Sequence, residues 1–188
     1  TTLLNAMLQL LPELDAVCVE RAAEMRPPAR MQRFMARWRT GDQSEVTFGQ
    51  RIAEALEKHP PLIILDEVRA DEPDSLSLLL TEENPPRQIW ACRGAADSKR
   101  LQSALGMLAR RANMGAGESM VYALYDRLPF VITVSRIGHP ETGESLKLFS
   151  VAEWQSRPDS EYADYRLLMQ FRDGEARRTE TPLARWLE

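Results

Sequence analysis

Four consecutive apolar residues, Leu62-Ile63-Ile64-Leu65, run directly into two carboxylates, Asp66 and Glu67. No polar residue alternates through the run, so it reads as a strand covered on both faces rather than one half-open to water. Such a strand needs helices above and below it, which restricts the chain to an α/β arrangement around a parallel sheet. Its acidic end is also informative, because open sheets of this class hold ligands outside the carboxyl ends of their strands.

The rest of the chain agrees with that class. Helical and extended patterns alternate up to about residue 128, and β-rich segments follow. Thr1–Leu11 has helical spacing and Pro12 ends it; Ala16–Val19 reads as a short strand. Pro27 and Pro28 interrupt a basic, Met-rich stretch, and a helix is expected from about Ala29 to Trp38. Thr40–Glu45 is a polar turn. Val46–Lys58 reads as a helix with Phe48, Ile52, Ala55 and Leu56 on one face, and Thr47 with Gln50 forms a capping box. After the apolar run come a short helix over Asp74–Thr81, a strand over Arg87–Cys92, and helices over Asp97–Asn113 and Ser119–Arg127. Phe130–Ile137 and Leu146–Trp154 flank a turn-rich segment and predict a hairpin. Tyr165–Phe171 and Ala176–Thr181 flank Asp173-Gly174 and predict a second. These late strands are expected to extend the parallel sheet.

Composition narrows the function. Lys+Arg totals 24 against 28 for Asp+Glu, a net charge of −4, which argues against a nucleic-acid binder. With 44% hydrophobic and 28% charged residues the chain is not a disordered one. No apolar run approaches the ~20 residues of a membrane helix, and no signal-peptide pattern opens the sequence, so a cytoplasmic protein is expected. The two cysteines, Cys18 and Cys92, lie in apolar stretches expected to be buried strands, in a reduced setting. With only His59 and His139 besides, they make no zinc pattern.

The candidate chemistry sits at two places. The Leu62–Glu67 segment has the shape of a Walker B element, in which Asp66 orients Mg²⁺ through water and Glu67 positions the water attacking a γ-phosphate. The competing reading is a strand that simply ends in a polar loop. Thr1-Thr2-Leu3-Leu4-Asn5-Ala6 looks like a phosphate-loop helix immediately after its Gly-Lys, which would make Thr1 a Mg²⁺ ligand through its hydroxyl. The competing reading is a plain N-cap. Arg69, just past the strand, is placed to pair with Glu20 or to reach a neighbouring subunit's nucleotide. Arg26, Arg30, Arg33, Arg37 and Arg39 recur at near-helical spacing, as a solvated helix face or as a set reaching an adjacent γ-phosphate. Met25, Met31, Met35 and Phe34 read as core.

Taken together, these segments resemble the type II/IV secretion ATPase family, the hexameric motors of secretion and pilus assembly, over roughly the first 135 residues. Thr1-Thr2 looks like the end of that family's Walker A motif. Val17-Cys18-Val19-Glu20-Arg21-Ala22-Ala23-Glu24-Met25 is similar to its acidic box, a strand ending in Glu-Asp followed by a Glu-Leu pair, with Arg21 in place of the Asp. Glu67-Val68-Arg69 falls on the family's Glu-Val-Arg, with Asp66 in place of the preceding Gly and Ala70 in place of the Gly that follows. The family's histidine box, expected near Trp90–Gly94, has no histidine. The resemblance implies a three-layer, RecA-like P-loop sheet, mainly parallel with antiparallel C-terminal strands. It implies an ATPase domain over residues 1–160, incomplete at its N-terminus, and a C-terminal extension over 161–188. It also implies ATP and Mg²⁺ as cofactors, with Glu67 catalytic, Thr1, Thr2, Glu20 and Arg69 at the nucleotide, and Thr1 and Asp66 at the metal. The expected partners are further copies of the chain in a hexameric ring and inner-membrane secretion or pilus machinery, with the protein cytoplasmic and peripheral at that membrane. An upstream Gly-Lys loop is expected in a longer chain. The alternatives are a catalytically inactive assembly scaffold of the same fold, and a DNA-linked RecA-like ATPase.

Overall fold

The computed structural model describes residues 1–11, 13–69, 74–94, 97–139, 143–155, 163–172 and 174–182, with the backbone alone for Asp74 and His139. In chain order the elements are α1 (Thr2–Leu10), β1 (Val17–Glu20), β2 (Gln32–Met35), α2 (Phe48–Leu56), β3 (Leu62–Val68), α3 (Asp74–Thr81), β4 (Arg87–Cys92), α4 (Ser98–Ala112), α5 (Gly117–Arg127), β5 (Phe130–His139), β6 (Gly143–Gln155), β7 (Asp164–Arg172) and β8 (Glu175–Arg178). Two compact units result, Thr1–Arg93 with Leu108–Met120, and Gly94–Met107 with Val121–Glu188.

The first unit is built on a four-stranded sheet in the order β2-β1-β3-β4, parallel throughout. The apolar run lies in β3, an interior strand, and both of its faces are covered. On one face Val17, Val19, Ile63 and Leu65 pack with Phe48, Ile52 and Ala55 of α2 and with Leu76 and Leu79 of α3. On the other, Ala16, Cys18, Leu62 and Ile64 pack with Leu4 and Leu8 of α1 and with Met25 and Met31. Burying one such side chain stabilises by about 2 kcal/mol, so β3, filling both cores, anchors the unit.

Helix α2 starts on the expected capping box: Thr47 Oγ1 accepts the Gln50 N–H at 3.1 Å, and Gln50 Oε1 accepts the Thr47 N–H at 2.8 Å. Its second residue, Gly49, lets α2 approach α3 closely; a Cβ there would lie 3.2 Å from the Ser75 Cα. Helix α1 follows the expected pattern, and Pro12 lies outside the described residues.

The helix expected over Ala29–Trp38 is not formed. Gln32–Met35 is instead an edge strand, parallel to β1. Apolar residues at 31, 34, 35 and 38 mimic helical spacing, but the side chains are used with period two. Phe34 and Ala36 pack on the α2 side of the sheet, while Arg33 ion-pairs with Glu20. Arg51 fixes the strand end by donating from Nε to the Met35 carbonyl at 2.7 Å. The chain then folds back in a narrow hairpin, with antiparallel bridges Arg37↔Val46 and Thr40↔Gln43. The five arginines therefore form no helix face. Arg30 pairs with Glu13 at 2.7 Å, and Arg37 donates to the Ser44 carbonyl at 3.3 Å. Met25 and Met31 are core and Phe34 is half-buried, but Met35 is exposed.

In the second unit β5 to β8 form an antiparallel meander in sequence order. The expectation that these strands extend the parallel sheet is not met: each pairs antiparallel with its immediate successor, in a sheet of their own. The core of this unit centres on Trp154, whose ring lies 5.2 Å from that of Tyr125 and 5.0 Å from that of Tyr165. Gln102, buried, donates from Nε2 to the Ala163 carbonyl at 2.6 Å. His139 closes β5 rather than lying in the turn. Asp173, Leu183, Trp186 and Leu187 fall outside the described residues. Among the described residues no helix is long and apolar enough to cross a membrane.

Candidate functional site

The strand order β2-β1-β3-β4 reverses direction between β1 and β3. The chain leaves β1 to one side and returns past it to β3. A ligand crevice is expected outside their carboxyl ends, at this topological switch point. Glu20 ends β1 there and Arg21 follows it, and Asp66 and Glu67 lie near the end of β3.

Thr1 stands at the N-cap of α1, yet its side chain makes no capping bond. A threonine in that position ordinarily accepts a backbone N–H of the first turn. Here Thr1 Oγ1 is 3.1 Å from Asp66 Oδ1 and 3.3 Å from Glu24 Oε2. Asn5, one turn along α1, pins the loop that carries Glu24, donating to the Glu24 carbonyl at 3.0 Å and accepting the Arg26 N–H at 2.6 Å. Asp66 is only 4% exposed. Burial raises its carboxyl above the ordinary aspartate range; the Thr1 hydroxyl opposes that shift, and the charges of Glu20 and Glu24 add to it. Thr2 is exposed in the first turn of α1.

Glu20 is fully buried and both its oxygens are engaged. Oε2 accepts the Met25 N–H at 3.1 Å and Oε1 accepts Arg33 Nε at 2.8 Å. Arg69 does not pair with Glu20. Its Nη2 lies 3.2 Å from Glu67 Oε2.

Glu67 has a positive φ of 59°, uncommon for a residue with a Cβ. It falls where the pairing of β3 with β4 shifts register, between Leu65 and Val68. The backbone is held there by Arg21, which donates from Nε to the Glu67 carbonyl at 3.0 Å and lies 4.3 Å from the centre of the Phe48 ring. Arg93, just past β4, places Nε 3.3 Å from Glu67 Oε1.

The predicted residues Thr1, Asp66, Glu67, Glu20 and Arg69 thus fall at one end of one sheet. Sequence reasoning placed Arg21 and Glu24 within the acidic-box resemblance without giving either a role at this site, and it did not assign Arg93. For Arg93 a signal was present, since it directly follows an apolar strand just as Arg69 follows β3. Cys92, expected to be buried, is exposed at the end of β4, while Cys18 is buried. Among the described residues no three His, Cys, Asp or Glu side chains gather as a metal site.

At the level of the fold, the chain is similar to a secretion ATPase. The VirB11 ATPase of the Brucella suis type IV secretion system, crystallised with sulphate, matches it with a TM-score of 0.58 and 19% identity. The match covers 81% of this chain and 44% of the VirB11 chain, so the protein spans less than half of that structure's length. At that identity the likeness concerns the fold alone. No sequence family matches the chain, and no curated protein sequence does.

Proposed function

We propose that the chain is the nucleotide-binding and hydrolysing part of a ring-forming ATPase of the secretion or pilus-assembly type. The observation that carries this reading is the Thr1 Oγ1–Asp66 Oδ1 contact of 3.1 Å at the head of α1. A hydroxyl at a helix N-terminus bonded to a strand-end carboxylate is the pairing a phosphate-loop helix makes with its acidic strand. In this reading a Gly-Lys loop precedes Thr1 in the intact protein, residues 1–160 make up the ATPase domain and 161–188 extend it. Copies assemble as a homohexamer in the cytoplasm, peripheral to the inner-membrane machinery they drive.

The donor set fits Mg²⁺. Thr1 and Asp66 offer hard oxygens, and Mg²⁺ on a nucleotide takes few protein ligands, the rest being phosphate and water. When bound, that ion neutralises charge on the phosphates. Glu67 orients the attacking water, and Arg69 keeps one of its oxygens in place. Glu20 holds the loop after β1 against the site through Met25, and Thr2 lies at the helix end that faces the phosphates.

The test uses the intact protein. Glu67→Gln is expected to abolish ATP turnover while nucleotide binding persists. Unchanged hydrolysis in that variant overturns the assignment. A wild type that assembles and binds ATP but never hydrolyses it leaves the scaffold reading, and turnover that rises with added DNA leaves the DNA-linked one.

A further inference from the structure

Two guanidinium groups, on Arg69 and Arg93, share the single carboxylate of Glu67, one on each oxygen. Among the described residues neither arginine has another ion-pair partner. The one carboxylate of Glu67 is therefore divided between two guanidinium groups. The two arginines also differ. Arg69 is 41% exposed, whereas Arg93 is 91% exposed and reaches a carboxylate that is itself 26% exposed. A pair so open to water is screened and weak, so it exchanges readily for a stronger anion. A phosphoryl group carries more charge than a carboxylate and three acceptor oxygens, and a guanidinium fork matches it geometrically.

We infer that Arg93 is a phosphate-exchanging arginine. It holds Glu67 Oε1 when the crevice is empty and transfers to the terminal phosphate of a bound nucleoside triphosphate, freeing that oxygen for water. Arg69 stays on Oε2, and Arg21 keeps the Glu67 backbone in its left-handed conformation, so the carboxylate is released without being displaced. This deepens the ATPase reading and rests on it. The arginine acts on the phosphate that distinguishes a triphosphate from a diphosphate, and its effect must discriminate between the two.

The experiment measures binding of a non-hydrolysable ATP analogue and of ADP, each with Mg²⁺, to the intact wild type and to the Arg93→Ala and Arg93→Lys variants, with turnover measured alongside. Arg93→Ala is expected to weaken the analogue about tenfold and to leave ADP within about twofold, with Arg93→Lys recovering part of the loss, since a hydrogen bond to a charged group is worth about that much. Equal weakening of both nucleotides, or no change in either, overturns the role of Arg93 while the ATPase reading stands. A wild type that binds neither nucleotide, or a Glu67→Gln variant with full turnover, removes the ATPase reading and this inference with it.

Discussion

Arg33 donates from Nε to Oε1 of Glu20 at 2.8 Å, and the carboxylate it meets is fully buried. The pair ties edge strand β2 to β1, and the Arg33 guanidinium is made more basic by the bond. Arg33→Met leaves a buried carboxylate with only the Met25 N–H, and is expected to cost about 2 kcal/mol in urea unfolding. Glu20→Gln keeps an acceptor for Met25 and leaves a half-exposed arginine that water can satisfy. It should cost less, and the reverse ranking would refute this account.

Asp66 gives the stability of the protein a particular pH dependence. Burial raises its carboxyl above the unfolded value of 3.8, so the folded state holds this proton more tightly than the unfolded chain. The stability it contributes is full below that unfolded value and is lost as pH rises through the folded one. Asp66→Asn keeps an acceptor for Thr1 and removes the charge. The variant should be more stable than wild type at pH 7, with the gain shrinking as the medium is acidified toward pH 4. Urea unfolding at both pH values checks this, and a gain that grows on acidification contradicts it.

Gly49 sits where a side chain would strike a backbone. An added Cβ meets Ser75 Oγ at 2.9 Å, which can rotate away, but also Ser75 Cα at 3.2 Å, which cannot. Alanine is the better helix former by at most about 1 kcal/mol, and less in a first turn. Overpacking costs about 1–3 kcal/mol, so Gly49→Ala should lower stability by about 1 kcal/mol net, read from the thermal midpoint. A stabilised variant would mean that α2 and α3 separate freely.

The thiols should react unequally. Cys18 is buried with its Sγ 3.1 Å from Met31 Sδ, and burial pushes its thiol up to about 12. Cys92 is exposed. Mass spectrometry after iodoacetamide at pH 8 should show modification at Cys92 alone in the folded protein and at both positions in guanidinium. Modification of Cys18 under native conditions would show that β1 opens on the labelling timescale.

Much of the fold was legible because its signals were local. The unbroken Leu62–Leu65 run marked an interior strand, Thr47 and Gln50 marked the start of α2, and the Gly174 turn marked the β7–β8 hairpin. The failure at Ala29–Trp38 is a failure of period. Met31, Phe34, Met35 and Trp38 fit a helix, and only the open hydrogen-bonding edge of β1, supplied from elsewhere in the chain, makes the segment a strand. Asp66 and Glu67 could be read from their position at the end of a strand. The convergence of Arg21, Arg69 and Arg93 on Glu67 could not, because sequence does not show that β4 lies beside β3 or that Glu67 takes a left-handed turn there.

The two sheets impose different demands on a chain that is finding its native state. In the β5–β8 meander every strand pairs with its neighbour in sequence, so each pairing closes only a short loop. In the parallel sheet Val19 must find Leu65 with all of β2 and α2 still to be placed between them. Contacts that distant are slow to form. The contact between Thr1 and Asp66 spans a still longer stretch of chain. The site thus rests on contacts of long sequence separation, and the meander on short ones.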